Sequence, residues 1–142
     1  MAVITDISDA VVAELNGATF SQPVSAVRQY LPKFDLPEMQ TLHVTVVPKA
    51  VVLATSDRAR GQGDYSIDVA VQKKFETGDN AELDALTGLT EELADHLRRK
   101  RLTTYPEAAW LKTEQSMLYA PEHMDELRQF TSVLTLTYRV LR

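Results

Sequence analysis

Cysteine is absent from all 142 residues, which excludes a disulfide framework, a thiolate metal site and a cysteine nucleophile. No stretch approaches the roughly 18 consecutive apolar residues of a membrane-spanning helix. The first residues, Met1-Ala2-Val3-Ile4-Thr5-Asp6, carry no basic segment, and Asp6 and Asp9 interrupt the apolar positions, so no signal peptide is expected. Excess positive charge is lacking as well. With 15 basic and 20 acidic residues the formal charge is −5, which argues against a surface built throughout to hold nucleic acid. There is no internal repeat and no low-complexity tract. What remains is an ordinary globular apolar content, 44%, sufficient for a single domain over residues 1–142 with a real core.

The hydrophobic pattern changes period along the chain. Ile4, Ile7, Val11 and Leu15 recur at helical spacing, which predicts an amphipathic helix opened by Thr5 or Asp6 and closed by Asn16-Gly17. Val24–Leu31, between Pro23 and Pro32, reads as an imperfect strand near a sheet edge. Pro32–Gln40 reads as an irregular connection. Leu42, Val44 and Val46 alternate with polar or β-branched neighbours, Pro48 marks a bulge or bend, and Val51-Val52-Leu53 carries the strand onward. In Asp64–Phe75 the period of two is clearest: Tyr65, Ile67, Val69 and Val71 form a core face. The polar segment Ser56–Gly63 joins these two runs, so they form a long hairpin arm with a projecting tip.

From Asp79 the period becomes helical again. Leu83, Leu86, Leu89, Leu93 and Leu97 make one stripe, with Asp79 as N-cap and Glu82 three residues on. Ala108–Tyr119 reads as a strand of uncertain register, Ala120–Leu127 as a proline-initiated turn, and Leu134–Val140 as a closing strand. The expected class is therefore α+β. A mostly antiparallel sheet of about five strands carries two main helices on one face, in the order α-β-β-β-α-β-β.

Candidate chemistry is thin. His43, His96 and His123 fall on a strand, a helix and a turn with no metal-ligand spacing, and no serine occupies a strand-to-helix elbow. Gly61-Gln62-Gly63 lacks the third glycine of a dinucleotide loop and leads into a strand. Glu91, Glu92 and Asp95 form a solvated helix face. No catalytic, cofactor-binding or metal-binding residue is assigned. Two basic groups stand out: Arg58 and Arg60 at the hairpin tip, and Arg98, Arg99, Lys100 and Arg101 in and just beyond the last turn of the long helix, where Asp95 can pair with Arg99. Neither group is interleaved with aromatic residues in sequence.

Arg58-Ala59-Arg60-Gly61-Gln62-Gly63-Asp64-Tyr65, followed by Asp68-Val69-Ala70-Val71-Gln72-Lys73-Lys74, resembles the small neck and tail proteins of tailed bacteriophages, in particular the tail-terminator family. Tyr119-Ala120-Pro121-Glu122-His123 and Phe130–Tyr138 are similar to the closing segments of such proteins, so the likeness covers most of the chain. The resemblance implies a non-enzymatic virion protein located at the neck or tail end, and in the host cytoplasm during assembly. It implies a homohexameric ring that stops growth of the tail tube and offers a surface to the head. The implied partners are further copies of the chain, the tail tube protein, a head-completion or connector protein, and genomic DNA crossing the lumen without sequence-specific binding. No membrane and no cofactor are implied. Arg58, Arg60, Gln62 and Asp64 would touch a neighbouring subunit or the tube, with Arg98 to Arg101 as a weaker basic patch. A ring of six copies would carry about −30, a charge that weakens counterion-release binding and lets a duplex slide. Three alternatives stand beside this one. They are a head-completion or connector protein of the same machinery, a small metal-dependent enzyme using the histidines, and a nucleic-acid binder working through Arg98 to Arg101.

Overall fold

A computed structural model describes residues 2–30, 41–55, 57–117 and 129–141, apart from the side chains of Ser116 and Met117. The connection expected at Pro32–Gln40 and the turn at Ala120–Leu127, with His123, lie outside the described residues. The elements are α1 (Val3–Asn16), β1 (Ala26–Arg28), β2 (His43–Thr55), β3 (Gly61–Lys74), α2 (Asn80–Leu97), β4 (Ala109–Met117) and β5 (Gln129–Leu141). Their order and the α+β class agree with the sequence reading. The sheet runs β1-β2-β3-β5-β4, antiparallel throughout except for the short parallel pair β1 and β2.

β3 lies at the centre and is paired along both sides. Its odd residues Tyr65, Ile67, Val69 and Val71 are buried, and across β5 they meet Tyr138, Leu136, Leu134 and Ser132. Across β2 the same row meets Val51, Pro48, Val46 and Val44. Because side chains alternate, the even residues of β3 all belong to the opposite, polar face. Both helices cover the apolar face. α1 lies over β1, β2 and β3, whereas the stripe Leu86, Leu89, Leu93 and Leu97 brings α2 over β5. The odd residues of β3 thus find their helical cover chiefly in α1. α2 leads the chain towards the far edge strand β4, and it lies along that route.

The caps explain where the helices stop. Asp79 accepts from the Glu82 amide at 3.0 Å, and the Glu82 carboxylate turns back to the amides of Glu76 and Thr77 at 3.0 and 3.2 Å. α1 begins earlier than the polar residues suggest: Ala2, not Thr5 or Asp6, is its N-cap, without a side-chain bond, and Thr5 donates its hydroxyl to the Ala2 carbonyl at 2.7 Å. Asn16 closes α1 and also ties it to the sheet. Its amide donates to the Ala26 carbonyl at 3.1 Å and accepts from the Ala26 amide at 2.7 Å, which fixes β1 at the edge. β1 is only three residues long, shorter than the expected Val24–Leu31.

The bulge near Pro48 is present, with the register shifting between Pro48 and Ala50 so that Lys49 is the extra residue. β4 carries two such shifts, around Leu111 and between Glu114 and Met117, which is why its alternation is illegible in sequence. At Gly63 a Cβ would approach the Tyr65 ring to 2.6 Å, so glycine is what lets Tyr65 fold back over the strand.

Tyr138 is fully buried, and its hydroxyl has no partner among the described residues; burial pushes its pKa well above the ordinary value. An unpaired buried hydroxyl costs about 1–3 kcal/mol, so Tyr138→Phe is expected to leave stability unchanged or raise it by about 1 kcal/mol in chemical denaturation. Ile67→Ala, by contrast, empties a fully buried site at the centre of the sheet and is expected to cost about 2–5 kcal/mol in the same measurement.

Candidate assembly interface

The hairpin tip is a defined turn. β2 and β3 remain paired as far as Thr55 opposite Gly61. Asp57 closes the turn: its carboxylate accepts from the amides of Ala59 and Arg60, each at 2.8 Å, and its own amide donates to the Arg60 carbonyl at 3.2 Å. Those amide donors, Ala59 first, hold the Asp57 carboxyl below its ordinary range. Arg60 reaches the same carboxylate at 3.3 Å, whereas Arg58 makes no ion pair among the described residues. The turn therefore presents two exposed guanidiniums in different states, one tethered and one free.

Gln62 and Asp64 are set apart from the tip. They lie on the polar face of β3, beside β5, where Arg139 stands directly opposite Asp64. The guanidinium makes a two-pronged contact with the carboxylate, Nε to Oδ1 at 2.8 Å and Nη2 to Oδ2 at 3.1 Å. With its amide oxygen turned to Arg139, Gln62 accepts from the same two nitrogens at 3.0 and 3.2 Å. The Arg139 hydrogen bonds hold the Asp64 carboxyl below its ordinary range. The four residues expected to form one contact thus divide into Arg58 and Arg60 at the tip and an Asp64–Arg139–Gln62 cluster on the sheet.

The polar face continues in the same manner. Asp68 accepts from the Thr135 hydroxyl at 2.7 Å and lies 3.7 Å from the Lys49 ammonium, and Lys112 pairs with Glu114 at 2.8 Å. Each charge of this ladder has an opposite charge beside it, so the face is polar with little net field.

The second basic group is placed differently from expectation. α2 ends at Leu97, Arg98 is its C-cap, and Arg99 adopts a left-handed conformation with φ 55. The cations therefore lie past the last turn, where His96 is the basic residue, and no Asp95–Arg99 pair forms. The turn directs Arg99, Lys100 and Arg101 towards Trp110, and these residues line an open concavity of about 380 Å³ with Pro106 and Ala108. Trp110 reaches this concavity from β4, nine residues beyond Arg101.

Of the histidines, the two among the described residues lie on different elements. His43 is on β2 opposite Gln72, and His96 on α2 stands edge-on to Phe20 with ring centroids 5.5 Å apart. Among the described residues no three of His, Asp and Glu come together as a metal site, and no helix is long and apolar enough to cross a membrane. Two features escape sequence reasoning altogether. One is Arg139, whose role depends on the β3–β5 register. The other is the exposed apolar run Val51-Val52-Leu53, which the alternation marks only as strand.

No known family profile and no curated protein matches the chain. Among solved structures, it is similar to a chain described as "Virion of native gene transfer agent (GTA) particle", with a TM-score of 0.65 and 16% identity, over 99% of this chain and 98% of that one. At that identity the likeness is one of fold.

The Asp64–Arg139 contact has a pH signature. Asp64 titrates below its ordinary value of 3.8 in the folded protein, so the contact contributes its full stabilisation above that pH and loses it as pH falls through the lower folded value. Asp64→Asn is therefore expected to be less stable than the parent at neutral pH. The difference in Tm should shrink as the pH is taken below 3.8.

Proposed function

We propose that this chain is a non-enzymatic structural protein of a phage virion that forms a ring at the end of the tail tube, terminates tube polymerisation and joins the tail to the head. The observation that carries this reading is the end-to-end likeness of fold to a chain of a virion particle, with 99% of one chain covering 98% of the other. The likeness runs along the whole of the chain, so the reading is made for all of it. The motif resemblance around Arg58–Lys74 and Phe130–Tyr138 points the same way.

The geometry is compatible with an assembling part. The Arg58 guanidinium makes no ion pair among the described residues and sits on a turn closed by Asp57, which leaves it available to an acidic surface on a tube or neck partner. The fold supplies sheet edges and a concavity between Arg99 and Trp110, surfaces that differ from one another, and a ring requires contacts between unlike patches. The Asp64–Arg139–Gln62 cluster is already satisfied within the chain. It serves as a rigid base for the hairpin, and Arg58 and Arg60 are the residues offered to the partner.

The reading is tested by adding purified protein to polymerising tail tube protein and measuring tube length by electron microscopy. A terminator shortens the tubes and caps their ends. Normal tube lengths together with binding to capsids would assign the chain to the head-completion side of the neck instead. Arg58→Ala combined with Arg60→Ala should leave the thermal unfolding midpoint within about 2 °C of the parent, since surface changes of this kind are worth within about 0.5 kcal/mol. The same variant should lose capping, and undiminished capping would reduce the tip to a solubilising turn.

A further inference from the structure

The exposed outer edge of β2 is unusual for a free strand. β1 covers that side only at Val44–Val46, and beyond it no described strand lies against β2. From Ala50 to Thr55 the strand is Ala-Val-Val-Leu-Ala-Thr, with no charge and no proline, and every residue in it is exposed. Val51, Val52 and Leu53 are 43%, 63% and 74% exposed. Sheet edges are normally blunted by charges, prolines or bulges, because unpaired N–H and C=O groups recruit another strand. Here the guards, Pro48 and the bulged Lys49, stand only at the lower limit of the free segment. An uncharged strand of high β-propensity with an open backbone edge recognises one kind of ligand, an extended strand.

The chain itself carries the complementary strand. β4 forms the other limit of the sheet, and among the described residues its outer side is also unpaired. β2 is antiparallel to β3, β3 to β5 and β5 to β4, so β2 and β4 run in opposite directions. A copy related by simple rotation would therefore present β4 antiparallel to β2. The levels also correspond. One row of the sheet joins Val52, Asp64, Arg139 and Ala109, and the next on the same face joins Ala50, Ser66, Thr137 and Lys112. The free part of β2 and the first half of β4 thus end the same rows, and lateral repetition needs little displacement along the strands, a condition for closing a ring and not opening into a filament.

We propose that the outer edge of β2 at Ala50–Thr55 is the docking site for β4 of a second copy, in the segment Ala109–Thr113, so that the sheets of successive subunits join by antiparallel strand addition. β1 acts as a stop that limits how far the incoming strand can slide. The proposal rests on the ring reading for its choice of β4 over a two-fold pairing of β2 with itself.

The absence of cysteine makes the test clean. Val52→Cys is combined in the full chain with Ala109→Cys or with Lys112→Cys, two positions on the same face as Val52. Within one chain these sites are three strand spacings apart, about 14 Å, too far for a disulfide. Any bond formed under mild oxidation therefore joins two copies. With tube ends present, at least one double variant is expected to give a ladder of disulfide-linked multimers, and each single variant only monomer. Dimers from Val52→Cys alone would mean two-fold pairing and overturn the β4 assignment. Rings visible by electron microscopy without linkage in either double variant would overturn the edge contact while leaving the ring reading intact. A linked ladder with uncapped tubes would support the edge contact and count against the terminator role. No multimers and no capping would overturn both. Val52→Lys, which places a charge on the open edge, should reduce multimers at least tenfold while the monomer keeps its parent unfolding midpoint; multimerisation at the parent level would also overturn the edge contact.

Discussion

A strand paired on both sides has no freedom of register, and β3 is such a strand over nearly its whole length. Slipping it by one residue against β2 or β5 would turn Tyr65, Ile67, Val69 and Val71 out of the core and bring Asp64 and Asp68 in. The cost of burying those carboxylates without partners exceeds the whole stability of a small domain. This constraint fixes the rest. It places Arg139 opposite Asp64 and Thr135 opposite Asp68, decides which side of the sheet the helices must cover, and sets where β2 and β4 end relative to each other.

The same register separates two kinds of polar chemistry that look alike in sequence. Asp64 and Gln62 lie close along the chain to Arg58 and Arg60, and a contact formed by all four is a natural expectation. Pairing with β5 gives the first two an internal partner instead, because Arg139 holds the Asp64 carboxylate at 2.8 and 3.1 Å beside Gln62. Asp57 acts similarly but incompletely at the tip, where both Arg60 and the carboxylate remain exposed and screened by solvent. Arg58 is left as the residue whose binding capacity is not spent internally.

How much could be read from the chain alone followed from the range of the interactions involved. Helix periodicity, the Asp79 cap, the Pro48 bulge and the alternation of β3 and β5 are local patterns, and they predicted the element order and the core. Failures occurred where non-local pairing decides. β5 starts at Gln129, five residues before its clear alternation, because pairing with β3 extends the strand through Phe130, Thr131 and Ser132. Sequence spacing places Arg98 to Arg101 in and just beyond the last helical turn, but the chain leaves the helix at Arg98, and Arg99 turns left-handed. Trp110 joins them only through the fold. The exposure of Val51, Val52 and Leu53 was hidden for a related reason. An apolar strand residue reads as core unless one knows that β1 stops after three residues.

The paired polar face also changes how the charge of −5 is understood. Averaged over the surface, that charge gives a weakly repulsive field towards a polyanion. On the sheet, however, Asp64 is held by Arg139, Asp68 by Lys49 and Glu114 by Lys112, so this face contributes almost nothing to the total. The excess acid lies elsewhere, on the exposed α2 positions Asp84, Glu91 and Asp95 among others, while the cations after α2 remain grouped beside Trp110. The sheet face therefore neither grips nor strongly repels a polyanion, because the fields of adjacent opposite charges largely cancel beyond the pair. The acidic helix positions and the basic corner keep their fields, and such fields steer and orient an oppositely charged surface. The division follows from the period of two in β3, which gives one face of the sheet to the core and leaves the charges of the other face to one another.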